Sequence, residues 1–526
     1  MSKHKEQYFN TFLMLLLLGY SLGAVHAAPP QNPNAEITDE SEENFWQEMP
    51  SVYEASKYAQ KLTKSPPAST SVVTADEIKK YGYRSFGDIL ASIKGFNSTY
   101  DRNYGYIGVR GFGLPTDYNK RVLLLIDGHR FNDSIYDYFD TSENFPLDID
   151  VIERIEIVPG PSASLYGNSA FLGVINVITR RGRDQSGTNV KASYGSNNSY
   201  KTSFSAGNRF NNGLEAFVSG SLYNSDGYQR LYFHEFDDPA HNHGSAENID
   251  ADQSKKIIST LSYGDFSLQG IYYRRQKEVP TASFGAAFNV GGENTTDQGG
   301  YADLKYSHLF TNQLQVNARV SYNSYRYFMN LPTNLGSQAN PDLLVNKELS
   351  RGQWWRAEAS ATKLLFDQHK ITFGAELQQN FDQFLTNYDR ITYKYVQQQN
   401  DKWALLLQDE YSILPNLSFS FGARLDYYSV FGTTVNPSAG LVYQPWEQTT
   451  FKLVYGTAFR APNQYELSYV QPYLSKQVGD PLKPENLRTV EWIVEQYFNA
   501  HLRLEMDFFD TEITDILLLT DRKSVV

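Results

Sequence analysis

His234-Glu235-Phe236-Asp237-Asp238, followed by His241 and His243, gathers three imidazoles and three carboxylates within ten residues. Imidazole and carboxylate suit a transition metal or a metal chelate, so His234, His241 and His243 are candidate ligands for a metal or haem group. Their spacing matches no defined site, and Asp, Asn, Pro and His are also ordinary residues of a solvated loop. A second grouping is aromatic and cationic. It holds Tyr100, Asp101, Arg102, Tyr104 and Tyr106, then Phe112 to Tyr118, and downstream Tyr465, Tyr469 and Tyr473. Tyrosine offers large contact area at small entropy loss, and arginine grips carboxylate-bearing ligands. For any single tyrosine, loop packing or a membrane girdle explains the residue as well. Catalytic sets are missing: the nine His are scattered, and neither a Gly-x-Ser-x-Gly elbow nor a phosphate-binding Lys loop occurs. Cysteine is absent, which removes thiolate nucleophiles, disulfides and a lipid-anchoring Cys. The chain reads as a binding protein without a cofactor rather than as an enzyme.

The elements that would position these groups fall into two textures. With 526 residues the chain exceeds one ordinary domain. The formal charge of -12 argues against nucleic acid as a partner. Aromatics at 14% with a mean hydropathy of -0.48 exclude a helical membrane protein and suit a β-barrel. Residues 1–27 read as a signal peptide: Lys3 and Lys5, an apolar run from Phe12 to Leu18, then Val25-His26-Ala27 before the cut. The run is shorter than the roughly 20 residues that span a bilayer. Residues 28–51 are polar and acidic, an expected flexible arm.

Residues 52–183 form a mixed α/β unit. A strand from Ser71 to Thr74 leads into a helix boxed by Thr74 and Glu77. A second helix runs through Phe86 to Ile93, and a strand from Arg121 to Ile126 ends at the turn Asp127-Gly128. The two-residue period of Ile155 and Ile157, the stop at Gly160-Pro161 and a strand from Val174 to Thr179 close the unit. From 188 to 520 strand follows strand. Leu417, Phe419, Phe421 and Leu425 alternate with Ser418, Ser420, Arg424 and Asp426. A dry core rejects such charges, whereas a wall between lipid and water accepts both faces. Tight turns at Phe210–Gly213, Gly264-Asp265, Thr311–Gln313, Asp367–His369 and Pro415-Asn416 alternate with long connections at Asp226–Gln253, Glu278–Gln298 and Leu331–Leu349. That asymmetry is typical of outer-membrane barrels.

The wording of Val151–Arg181, with Val109-Arg110-Gly111 and Ile126-Asp127-Gly128, closely resembles the plug domain of TonB-dependent outer-membrane receptors. Gly456–Pro462 with Glu466-Leu467, and Asp480–Glu485 followed by Glu491, resemble that family's barrel. The resemblance implies a mixed α/β plug inside a transmembrane antiparallel β-barrel of about 22 strands, in the outer membrane of a Gram-negative bacterium. It implies active uptake of a scarce ligand, a ferric siderophore by preference, with cobalamin, haem or glycans as alternatives. A passive porin has no use for the plug, and an adhesin would need a passenger. Expected partners are TonB with its ExbB/ExbD energy supply, the barrel assembly machinery, outer-membrane lipid and the small ligand.

By the same resemblance the ligand should meet Tyr100, Arg102, Tyr104, Tyr106, Phe112, Tyr118, Tyr465 and Tyr469, where plug tips face outer loops. An ion pair should latch Arg110 to Glu491; the family's second latch arginine is replaced by Pro159. Ser71–Ala75 has TonB-box letters but leads into the capped helix, so the coupling peptide is placed at Ser51, Val52, Tyr53, Glu54 and Ala55, able to add to a partner's sheet edge. Only roughly fifteen of the strands are present, and residues 521–526 resemble a translated sequencing adapter. The expectation is therefore an incomplete barrel whose genuine sequence stops at about Thr520.

Overall fold

The computed structural model describes residues 70–113, 117–336, 342–468, 482–499 and 502–517. The signal peptide, the arm, the coupling residues 51–55, Tyr469, Tyr473 and the last six residues lie outside the described residues.

The plug begins with β1 (Ser71–Thr74), which feeds α1 (Ala75–Tyr81). The Thr74 hydroxyl accepts from the Glu77 amide at 3.3 Å, and Glu77 accepts from the Thr74 amide at 2.8 Å, so the expected capping box forms. Next comes α2 (Phe86–Ala91), which stops two residues short of Ile93 because Ser92 turns back to cap it, its hydroxyl donating to the Ile89 carbonyl at 2.7 Å. A hairpin of β2 (Phe96–Tyr100) and β3 (Gly105–Val109) follows, then β4 (Val122–Ile126) and β5 (His129–Arg130). The unit closes with β6 (Ile152–Pro159), α3 (Ala163–Tyr166) and β7 (Gly173–Thr179). The main sheet runs β1-β6-β7-β4-β5, with only β4 and β7 parallel. Both are buried along their whole length, which explains their unbroken apolar runs. Phe86 stacks on Phe145 at 4.0 Å between ring centroids, tying α2 to the core.

Fifteen antiparallel strands, from β8 (Gly187–Gly195) to a last strand at Leu502–Thr514, make one sheet in sequential order. Among the described residues, its first and last strands do not pair with each other. Burial is inverted relative to a water-soluble protein. Phe419, Phe421, Val435, Leu453 and Trp492 are exposed, while Arg275, Arg460, Lys277 and Lys452 are fully buried. Apolar residues face outward because lipid is their solvent, and charged ones face the plug.

The turns lie where expected, but one long connection does not. Most of Leu331–Leu349 is strand: Leu314–Asn334 and Leu343–Leu365 stay paired out to Asn334 with Leu343. At about 3.4 Å per residue a 23-residue strand far exceeds the 9–11 residues a membrane needs. The hairpin therefore projects beyond the bilayer, a length that alternation alone had hidden. Connection 226–251 carries a small ribbon, Arg230–Tyr232 against Ser245–Glu247. On the same rim lies α4 (Gln464–Ser468).

Candidate functional site: plug seam and outer aromatic shelf

After β3 the backbone reverses through Arg110 (φ 53) and Gly111 (φ 78), which throws the Arg110 side chain at the wall. Its guanidinium donates to both Glu491 oxygens, at 2.5 and 3.0 Å, and to Asp507 at 2.8 Å, and lies 4.6 Å over the Phe509 ring. Burial opposes the charge, but Glu491 and Asp507 hold Arg110 above the usual arginine range. Sequence reasoning named Arg110 and Glu491; Asp507 was legible only as a polar strand position. Gly160 at the end of β6 closes the corner. Its φ of 91 strains any residue with a side chain, and a Cβ there, 2.6 Å from Glu491 Oε1, would push the carboxylate out of place.

A second junction is buried but for the partly exposed Glu466. Arg121, just before β4, donates to Glu485 of the wall at 2.8 and 2.5 Å and to Asp117 of its own loop. Arg460 of the wall donates to the same Glu485 at 2.9 Å and to Glu466 of α4 at 2.8 Å. Lys120 of the plug donates to the other Glu466 oxygen at 2.9 Å. Three cations thus meet three carboxylates across plug and wall. Burial works against its charge, yet Arg460 and Lys120 hold Glu466 below the usual carboxylate range. Asp117 lies in the stretch Phe112–Tyr118 marked for ligand contact, and none of the six was placed in the seam from sequence. Arg460, Glu466 and Glu485 do lie in the barrel passages singled out by wording, and charge at inward strand positions was the available signal.

Towards the other end of the sheet the signs reverse. Wall Lys201 meets plug Asp148 at 2.9 Å, Lys191 meets Asp150 at 2.8 Å, and Lys256 meets Glu143 at 3.5 Å.

The aromatic candidates divide three ways. Tyr104, Tyr106 and Tyr118 come together with Tyr138 in edge-on contacts of 5.4 to 6.0 Å. Tyr136 extends the group to Tyr327 at 5.9 Å and to Tyr465 at 5.2 Å. The result is a tyrosine shelf at the end of the molecule that bears the long connections. Its hydroxyls are anchored: Tyr104 to Asp297 at 2.9 Å, Tyr106 to Asp101 at 2.7 Å, Tyr136 to Glu348 at 2.9 Å. Lys394 covers the Tyr465 ring at 4.7 Å. Tyr136, Tyr138 and Tyr327 went unnoticed in the sequence because no local pattern marks them. Tyr100 and Arg102 are drawn aside instead, Tyr100 to Arg275 at 3.3 Å and Arg102 to Asp250 at 3.9 Å and over the Tyr228 ring. Phe112 joins the seam, 5.8 Å under the Arg121 guanidinium.

The histidine cluster does not converge. Among the described residues no three His, Asp or Glu side chains gather as a metal group. His241 Nδ1 is 2.6 Å from Asp238, and its ring packs near Phe236 and Phe288. The chain turns through Asn242 and His243, both at positive φ, within the same connection. The neighbouring connection carries a buried carboxyl, Glu293, which accepts from the Ser283 amide at 3.1 Å and which burial pushes up to about 8. A carboxyl raised from 4.5 contributes stability that is full below about 4.5 and lost as pH rises through about 8. Hydrogen exchange of residues 279–293 should therefore speed up between pH 5 and 9 beyond the intrinsic rate. Glu293→Gln should remove that excess; an unchanged excess would refute the assignment.

Comparison with known proteins bears on both units. A family model described as "TonB-dependent Receptor Plug Domain" matches residues 63–174, and one described as "TonB dependent receptor-like, beta-barrel" matches residues 263–525. The iron-regulated outer membrane virulence protein of Vibrio cholerae is 26% identical over 520 residues, 95% of this chain and 72% of that protein. The vitamin B12 transporter BtuB of Vibrio vulnificus is 24% identical over 469 residues, 86% of this chain and 68% of that protein. Of three curated relatives that it matches, the chain spans 64 to 72% of the length. In fold it is similar to the ferric enterobactin receptor PfeA of Pseudomonas aeruginosa, with TM-score 0.66 at 18% identity, covering 86% of this chain and 72% of that one. The ferric yersiniabactin uptake receptor FyuA of Yersinia pestis gives TM-score 0.64 at 16% identity, covering 89% and 75%.

Proposed function

The chain belongs to the TonB-dependent receptor family of the Gram-negative outer membrane, and from that premise we propose that it imports a scarce ferric chelate of the siderophore class. The observation that carries this reading is the pairing of an outer tyrosine shelf with a plug sealed to its wall by buried ion pairs. A ligand lands on half-buried rings of Tyr118, Tyr136, Tyr327 and Tyr465, whose rigid faces bind large planar chelates at little entropy loss. Below it the ion pairs hold the plug against the wall, so passage requires work on the plug. That work is assigned to TonB, driven by ExbB/ExbD and gripping the arm at residues 51–55 by strand addition. The barrel assembly machinery would insert the wall. The iron-regulated Vibrio relative and the ferric-chelate receptors of like fold support iron as cargo.

Uptake by cells making the receptor tests this, with iron-labelled siderophores, haem and cobalamin offered in parallel. Iron chelate should enter only when TonB is present. Tyr136→Ala and Tyr327→Ala should each weaken binding about tenfold, or ~1.4 kcal/mol. Deleting residues 51–55 should stop uptake and spare binding. Entry of cobalamin or haem alone would replace the cargo; TonB-independent entry would overturn the mechanism.

A further inference from the structure

We propose that Glu466 is a positioning residue through which the outer shelf controls the grip on the plug. This rests on the shelf being the ligand's landing site. Helix α4 is one short turn, and successive helical side chains point about 100° apart. Tyr465 therefore stands on the shelf between Tyr136 and Lys394, while Glu466 next to it turns into the buried junction. The helix is stitched to the plug as one piece. The Tyr465 amide donates to the Ile135 carbonyl at 3.1 Å, and the Asn463 side chain donates to the Tyr136 carbonyl at 2.8 Å. Glu466 and Asn463 also cap one another: the Glu466 amide donates to Asn463 Oδ1 at 2.8 Å, and the Asn463 amide to Glu466 Oε2 at 2.9 Å.

That reciprocal cap locks the carboxylate's direction to the helix's own rotation. Oε2 also accepts Arg460, and Oε1 accepts plug Lys120. A ligand that pushes the Tyr465 ring, held between Tyr136 and Lys394, turns α4 with it, and turning α4 withdraws Oε1 from Lys120. The next carboxylate, Asp117, is 3.9 Å from the Lys120 ammonium, too far to replace a 2.9 Å contact. Occupancy outside thus becomes a loosened cation on the plug, with rotation of one short helix as the coupling element.

The test uses the full chain in detergent micelles and no ligand, so its failure would leave the landing-site reading standing. The rate of amine acetylation at Lys120 is read by mass spectrometry, with Lys201 as internal control. Glu466→Gln should raise the Lys120 rate about fivefold, which is ~1 kcal/mol at 1.4 kcal/mol per tenfold. Tyr465→Ala and Lys394→Met should raise it by a similar factor. Tyr465→Phe should match the parent, and Lys201 should not change in any variant. If Tyr465→Ala does not fold, Lys394→Met decides the outcome, since it frees the ring from its outer side alone. A rise with Glu466→Gln that neither shelf variant reproduces would overturn the coupling. An unchanged Lys120 in Glu466→Gln would overturn the grip itself.

Discussion

Glu485→Ala is expected to destabilise the plug–wall assembly by about 3–5 kcal/mol, the range for removing one partner of a buried pair. Glu485 and Arg121 are 0% and 1% exposed, so water cannot screen what is left behind. Two guanidiniums, Arg121 and Arg460, would then face each other without their shared carboxylate. The Leu517 amide, which donates to Glu485 at 2.7 Å, would lose its acceptor as well. The urea midpoint of the folded chain, followed by tryptophan emission, measures the loss. Glu485→Gln keeps the volume and one acceptor, so it should fall between the parent and Glu485→Ala. A shift under about 1 kcal/mol, the ordinary size for an exposed pair, would show that the junction is open to solvent.

Arg110→Met comes second, at about 3 kcal/mol. Its effect has a different origin. Glu491 and Asp507 share one guanidinium and would be left as neighbouring carboxylates without it. Neutralising both in the same chain, as Glu491→Gln with Asp507→Asn, should restore most of the loss, because the penalty lies in uncompensated charge rather than in missing contact area. A triple variant no more stable than Arg110→Met alone would disprove that account. Pro159 bears on the same corner: it offers no cation there, and among the described residues Arg110 spans both wall carboxylates.

The plug was legible because its instructions are local. Thr74 with Glu77 marks a helix start within one turn, and the uninterrupted Val122–Ile126 run marks a strand buried on both faces. The wall was legible from its two-residue period and the alternation of short and long connections. Arg110 and Glu491 could be named only because each sits in family wording. Arg121, Arg460, Glu466 and Glu485 sit in or beside such wording too, but which cation meets which carboxylate is decided by register between strands hundreds of residues apart. Tyr136 and Tyr327 reach the shelf in the same way, from a plug loop and a wall strand that share no sequence signal. The histidines taught the converse. His234, His241 and His243 are close in sequence, yet among the described residues they form no group that could hold a metal ion.

The reversal of sign between the two flanks has a consequence of its own. The plug carries Glu143, Asp148 and Asp150 on one side and Arg110 and Arg121 on the other, and the wall carries the opposite order. Turned half-way round, these five tethers would become repulsions; Arg102 with Asp250, a plug cation on a wall anion, stands outside the pattern. The wall thus sets the heading of the domain it encloses, not merely its depth. At physiological salt such forces reach only about 8 Å, so the heading is checked at the last moment of docking, when a wrongly turned plug is still loose enough to turn back.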